Sequence, residues 1–327
     1  VLLDGHFLLY FHALLLRFVL RQTCTTGLHN FLSFEFHLKR AIEAAVHTSA
    51  YLILHNRTML ATFIPGAVDI GNSRIKILVG EHYFSASFDE PWQEQMQKFF
   101  WNFTGKTVML GLSSVNDTAE ELFSLELKKR SNIKSQSLIP LLSRQPFLDI
   151  SGIQGIGADR VLGMIGALHH DPASIRPVIT IDCGTAITIN AVNVHRRCLG
   201  GAILPGIATQ LRSLHESTER LPYIEPAVEN VSAGTSTVQA MRIGVVHGAA
   251  GAIRFLVERI IADDFEGVEP LVFIAGGNAQ LLKQALQPWF IQPIEDTHLV
   301  LKGIQAVMAY VMMESLHGSG IRRLNAS

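Results

Sequence analysis

Residue patterning points to an α/β protein built from two like halves. Three observations carry that expectation. An Asp-x-Gly hairpin occurs twice, in AVDIGNSRIKILVG (residues 67–80) and in VITIDCGTAITINAV (residues 178–192). From Pro65 onward, runs with strand character alternate with runs of helical period. A chain of 327 residues also exceeds one ordinary core, so two domains are expected.

In order, AVDIGNSRIKILVG reads as two strands around a turn and PWQEQMQKFFWNF (91–103) as a helix. KTVMLGLSS (106–114) is a short buried strand, and DTAEELFSLELKKR (117–130) is a helix with Asp or Thr as its start signal. A weaker strand is expected at FLDI (147–150), followed by the glycine loop and helix of GIGADRVLGMIGALHH (155–170). The second half opens with the second hairpin. HRRCLGGAILPG (195–206) continues as a strand into a Gly-Gly…Pro-Gly loop, and a long small-residue helix covers 235–262. PLVFIAGGNAQLLKQAL (270–286) is a buried strand, a turn and a helix, and the last helix starts near THLVLKGIQ (297–305). The expected divisions are an atypical extension at 1–65, a first domain at 66–176, a second at 177–317 and a tail at 318–327.

Composition narrows the function classes. Charged residues are 17% and the net charge is −1, so no basic field exists to hold nucleic acid. Cys24, Cys183 and Cys198 make neither a CxxC pair nor a disulfide framework, which suits a reducing cytoplasm. The first 58 residues hold six of the fourteen His, three acidic residues and no Met. Their apolar run FLLYFHALLLRFVL is short and carries His12 and Arg17, so no membrane span is expected there. The expectation is that translation starts at or near Met59; the alternative is an N-terminal helical arm.

The two hairpins carry the chemistry. Gly71 and Gly184 allow tight turns whose backbone N–H groups approach a ligand with no Cβ in the way. Asn72, Ser73, Thr185 and Thr188 add short donors, and Lys76 adds a positive charge. Such turns suit phosphate oxygens. Asp69 and Asp182 offer carboxylates to a cation, and Mg²⁺ takes one or two of these together with nucleotide phosphates. One such turn is ordinary. Two, each opening an α/β half, imply lobes that close on a nucleotide from both sides.

The other features read more plainly on their residues. GIGADR lacks both the strand and acid of a dinucleotide fingerprint and the Lys-Ser/Thr of a P-loop. Asp159 there reads as a first-turn acid that offsets a helix dipole, and Arg160 as a two-pronged anion holder or a solvated cation. AGGN (275–278) fits a nucleotide turn or a simple βα turn equally. Gly244, Gly248 and Gly251 share a helix face suited to close packing in the core or across a dimer. His195, Arg196 and Arg197 mark a solvated hairpin tip, and His169 and His170 a helix end.

Taken together, DIGNSRIK, GADR, DCGTAIT, GGAILPG, LHESTERLP, TVQAMRIG and AGGNA stand in one order between residues 66 and 317. That set resembles the type III pantothenate kinases, members of the duplicated ribonuclease-H-like superfold shared with actin and sugar kinases. The resemblance implies mixed sheets flanked by helices, and ATP-dependent phosphorylation of pantothenate to 4′-phosphopantothenate, the first step of coenzyme A synthesis. The alternatives are a regulator similar to the Bvg accessory factors and a kinase of another small alcohol.

The resemblance also assigns residues. Asp69, Ile70, Gly71, Asn72, Ser73, Arg74, Ile75 and Lys76 would form the first ATP-phosphate loop, with Thr185 as the second phosphate contact. Asp182 would bind a monovalent cation, K⁺ or NH₄⁺, and ATP would arrive with Mg²⁺. Gly157, Ala158, Asp159, Arg160 and Thr237 would contact pantothenate, with Asp159 the proton acceptor, in a cytoplasmic homodimer with no nucleic-acid or membrane partner. Ile150 and Ile153 depart from an aromatic residue and a Pro that many relatives carry there, and Ala275 replaces a Thr.

Overall fold

The computed structural model describes residues 63–324, so expectations about the N-terminal extension lie outside the described residues. In the first half, β1 (Phe63–Ile70), β2 (Arg74–Val79) and β3 (His82–Ser87) precede α1 (Trp92–Phe100), β4 (Thr107–Ser114), α2 (Asp117–Lys128) and β5 (Ile133–Ser137). Helix α3 (Ala158–His170) leads to β6 (Val178–Cys183), β7 (Ala186–Val192), β8 (Cys198–Pro205) and α4 (Ile207–Glu216). Then come α5 (Thr237–Arg242), a π-helical turn at Ile243–His247, α6 (Gly248–Asp263), β9 (Leu271–Ala275), α7 (Ala279–Ala285), β10 (Ile294–Glu295) and α8 (Leu299–Leu324).

The duplication holds strand by strand. One sheet runs β3-β2-β1-β4-β5 and the other β8-β7-β6-β9-β10, so β1 matches β6 and β4 matches β9. In each sheet the first three strands pair antiparallel, and the last two pair parallel. β1 and β6 lie mid-sheet and are mostly buried, with Asp69, Thr180 and Asp182 as their polar members. Ala67, Val68, Ile70, Ile179 and Ile181 are fully buried, as central strands covered on both sides require. β2 instead alternates buried with more open residues, the period-2 signature. Both sheets belong to one compact unit.

Several elements depart from expectation. FLDI forms no strand; it contributes a single bridge, Asp149 to Arg197, at the β7–β8 tip. The fifth strand of the first sheet is IKSQS, where only Ile133 is buried, so a mostly exposed edge left no hydrophobic pattern to read. β3 and α4 were likewise not anticipated. The start signal of α2 is Asn116, one residue before Asp117; its side chain accepts a hydrogen bond from Ala119 N at 3.1 Å. His169 and His170 pack edge-on against Phe147 and Phe273.

The long helix expected at 235–262 spans Thr237–Asp263 and is the one described helix long and apolar enough to cross a membrane. Its Met241, Val245, Val246, Ala249, Ile253 and Val257 lie in the core of the second sheet. Gly244, Gly248 and Gly251 face outward, where a Cβ would meet nothing within 4 Å, so close core packing does not explain them.

Helix α3 touches β4 of the first sheet and β6 and β7 of the second, and its principal neighbour is α8. Glycines set that crossing. A Cβ on Gly166 would lie 2.0 Å from the Leu299 carbonyl oxygen, and one on Gly303 would lie 1.9 Å from that of Leu162. One turn back, a Cβ on Gly163 would touch only Val300, at an ordinary 3.8 Å. Gly166→Ala is therefore expected to destabilise by about 1–3 kcal/mol through overpacking. Gly163→Ala is expected to stabilise by about 0.5–1 kcal/mol through helix propensity. Paired denaturant melts check both signs.

Candidate active site

Each Asp of the paired hairpins occupies the same place in its sheet. Asp69 on β1 is in register with Lys76 on β2, and Asp182 on β6 with Thr188 on β7. The turns differ by one residue: Gly71, Asn72 and Ser73 close the first, Gly184 and Thr185 the second. In the first turn Gly71 N donates to Arg74 O at 3.0 Å, and in the second Gly184 N donates to Ala186 O at 3.0 Å. The Thr185 carbonyl accepts from Gly206 N at 2.9 Å and from the Thr209 hydroxyl at 2.8 Å, which holds the second turn against the start of α4. The two turns meet: Ser73 Oγ and Thr185 Oγ1 are 3.1 Å apart, an exposed hydrogen bond between the hairpins.

The same two hairpins carry a cluster of charge. Lys76 Nζ is 3.4 Å from Asp69 Oδ2. Asp69 is only 7% exposed, and Asp182 is half-buried. Burial pushes the Asp69 carboxyl above its ordinary range; Lys76 opposes that and the charge of Asp159 adds to it. Asp182 is raised in the same way, by burial first, with Lys76 opposing and Asp69 and Asp159 adding. For Lys76 burial alone would lower the pKa, but Asp69 and Asp182 outweigh it and the ammonium is held above its usual value. Two aspartates, one from each sheet, thus share one lysine, and the charge of Asp159 adds to both. Among the described residues no three His, Cys, Asp or Glu side chains assemble a metal cage. Asp69 and Asp182 instead present the one or two carboxylates that suit a cation whose remaining ligands are phosphates and water.

A cleft opens beside Asp182, lined by Asp159, Arg160, Thr180, Thr188, Asn190 and Ala275 among others. Asp159 and Arg160 reach it from the first turn of α3. Gly157 lets Asp159 fold back, since a Cβ there would lie 2.5 Å from Asp159 Oδ1. The preceding stretch is stitched to the β7–β8 tip: Asp149 N donates to Arg196 O and Cys198 N to Asp149 O, both at 2.8 Å. The 195–197 tip is therefore also a docking point for this segment. Ile150 and Ile153 within it are half-buried. From the other side Gly276, at φ 93°, brings the AGGN turn under the second hairpin, and Asn278 N donates to Cys183 O at 3.1 Å.

The structure thus gathers Asp69, Gly71, Asn72, Ser73, Lys76, Asp159, Arg160, Asp182 and Thr185 around the meeting hairpins. Ile70 and Ile75 turn fully buried side chains into the core, so only their backbone faces the loop. Arg74 is exposed at the start of β2. Ala158 opens α3. Thr237 is exposed at the start of α5 and is not among the residues that line the cleft. The sequence reading missed Asn190 and Thr180. Asn190 is 2% exposed; its Oδ1 accepts from Arg160 Nε at 2.6 Å, and its Nδ2 donates to Thr180 Oγ1 at 3.2 Å. The available signal was a polar residue in each of two apolar strands, at positions in register with one another.

Residues 67–259 match the family model of the type III pantothenate kinases. A type III pantothenate kinase 1 of Francisella tularensis is 31% identical over 196 residues, 60% of this chain and 74% of that one. The type III pantothenate kinase of Synechococcus elongatus is 39% identical over 140 residues, 42% of this chain and 54% of that one. Among solved structures, a conserved Baf family transcriptional activator candidate from Campylobacter jejuni superposes with a TM-score of 0.50 at 24% identity, over 75% of this chain and 98% of that one, a likeness of fold.

The carboxylate cluster has a stability consequence. Asp182 binds its proton more tightly in the folded chain than in the unfolded one, so its ionisation costs stability as pH rises from the ordinary 3.8 through the raised folded value. Asp182→Asn should therefore melt above the parent at pH 8, and the gain should shrink as pH falls toward 3.8. Thermal melts across that range check it; an equal or lower melting temperature at pH 8 would contradict it.

Proposed function

The chain belongs to the type III pantothenate kinase family, and on that premise we propose that it transfers the γ-phosphoryl group of ATP to the primary hydroxyl of pantothenate. The product is 4′-phosphopantothenate, the first intermediate toward coenzyme A. The observation that carries this reading is the meeting at Ser73 and Thr185 of the two hairpins that also carry Asp69, Lys76 and Asp182. Phosphoryl transfer asks a protein mainly for positioning and charge neutralisation, and that arrangement offers both.

In this reading the Gly71–Ser73 turn and Thr185 hold phosphate oxygens, and Lys76 offsets their charge. Asp69 and Asp182 hold the divalent ion that travels with ATP, which supplies charge neutralisation on the phosphates, and Asp182 also takes the monovalent cation. Arg160 anchors the pantothenate carboxylate. An oxygen of Asp159 accepts a hydrogen bond from the attacking hydroxyl, orients it and receives its proton as the new P–O bond forms. The lobes are taken to divide near residue 177. The exposed Gly244, Gly248 and Gly251 face is where a second copy would pack, with Thr237 completing the partner's acceptor pocket. The enzyme would work in the cytoplasm, apart from membranes and nucleic acid. A purely regulatory relative has no use for two buried aspartates crowded on one lysine with a third nearby, an arrangement that costs stability.

The test is ADP release by the purified protein with and without pantothenate, in K⁺ and in Na⁺. Pantothenate-dependent release, faster in K⁺, is expected; ATP binding with no such release would refute the reading. Asp159→Asn should keep ATP affinity and lose most turnover, at least about a hundredfold. Near-normal turnover would remove Asp159 from the role of proton acceptor.

A further inference from the structure

Two cations stand near Asp182 in very different surroundings: Arg160 lines the cleft and Lys76 lies outside its lining. Lys76 is committed: Asp69 pairs with it directly, and Asp182 also pulls on its charge. Arg160 makes no ion pair among the described residues. Its side-chain hydrogen bond to the described protein runs from Nε to the Asn190 amide oxygen, at 2.6 Å. That bond fixes the orientation of the amide, because a guanidinium nitrogen only donates and so requires the oxygen. The amide nitrogen then faces Thr180 Oγ1 at 3.2 Å and Thr188 Oγ1 at 3.5 Å, and both hydroxyls can accept. Asn190 and Thr180 are 2% and 3% exposed, so the support beneath the arginine is buried and rigid.

We infer that Asn190 is a positioning residue that makes the site select an anionic acceptor alcohol: it aims the Arg160 guanidinium into the cleft while leaving its positive charge uncompensated. A carboxylate at position 190 would accept the same hydrogen bond with the same shape, but it would neutralise the arginine and weaken its hold on an incoming anion. An amide keeps the geometry without the charge. Asp159 and Asp182 line the same cleft and would repel an anionic substrate, so the free charge on Arg160 is what offsets them. The inference rests on the reading of Arg160 as the anchor of the pantothenate carboxylate, and it adds the group that governs that anchor.

The test compares pantothenate with panthenol, the same molecule with its carboxylate reduced to an uncharged alcohol. Asn190→Asp should raise KM for pantothenate about tenfold or more, the scale of one charge-assisted hydrogen bond. KM for panthenol and for ATP should move less than about twofold, since neither depends on that charge. Thr180→Val is the milder companion. It releases the Asn190 amide without adding charge, should raise the pantothenate KM in the same direction by a smaller factor, and serves if the Asp variant folds poorly. A rise that is equal for the charged and uncharged acceptors, or no rise in either variant, would overturn the inference and leave the kinase reading standing. Failure of the unaltered protein to phosphorylate pantothenate would overturn the kinase reading and this inference with it.

Discussion

Lys76 and the carboxylates that share it tie the two halves of the molecule together. Asp69 comes from the first sheet and Asp182 from the second; Asp182 feels the charge of Asp69, and both feel that of Asp159 on α3. A single ammonium group, 3.4 Å from Asp69, opposes that repulsion from within the protein. The consequence is a centre that is costly to keep ionised when empty of cations and well suited to receive them. Everything nearby holds the arrangement open. β1 and β6 fix the heights of the aspartates, the turns after them set the approach of a ligand, and α3 brings Asp159 and Arg160 to the rim. Stability is given up where the chemistry needs charge, a common exchange at functional sites.

Duplication explains why two matching hairpins meet, and its imperfections set them apart. The sheets share one strand order, and the two aspartates share one register position. The partners across the hairpins differ: Lys76 stands opposite Asp69, and Thr188 stands opposite Asp182. The first turn is one residue longer and offers Asn72 and Ser73, whereas the second is tied to α4 through the Thr185 carbonyl. The first hairpin therefore carries the positive charge. The second carries the carboxylate left without a direct lysine partner, beside the cleft that Arg160 enters. Symmetry supplied the scaffold, and local substitutions divided the work.

What was legible in the chain follows from how each feature is encoded. The hairpins were legible because an Asp-x-Gly turn between β-branched runs is a local signal, and Asp69, Lys76, Asp182 and Thr185 all lie within it. The helix that opens at GADR was legible for the same reason. IKSQS was not, because an edge strand with one buried residue carries no periodicity, and FLDI misled because an apolar run can fill a core without pairing. The glycines at 244, 248 and 251 were correctly placed on one face, but only the fold reveals that the face is open. The Arg160–Asn190–Thr180 relay was hidden for a deeper reason. Its members are joined by strand register and a helix crossing, and no local pattern spans the thirty positions between Arg160 and Asn190.

The central claim is that the two hairpins act as one clamp on a single nucleotide. Hydrogen–deuterium exchange with and without a non-hydrolysable ATP analogue tests it most directly. The account predicts that the analogue slows exchange together at the 69–76 and 182–188 segments, with the same concentration dependence. Protection confined to one hairpin, or two protections that titrate separately, would contradict it.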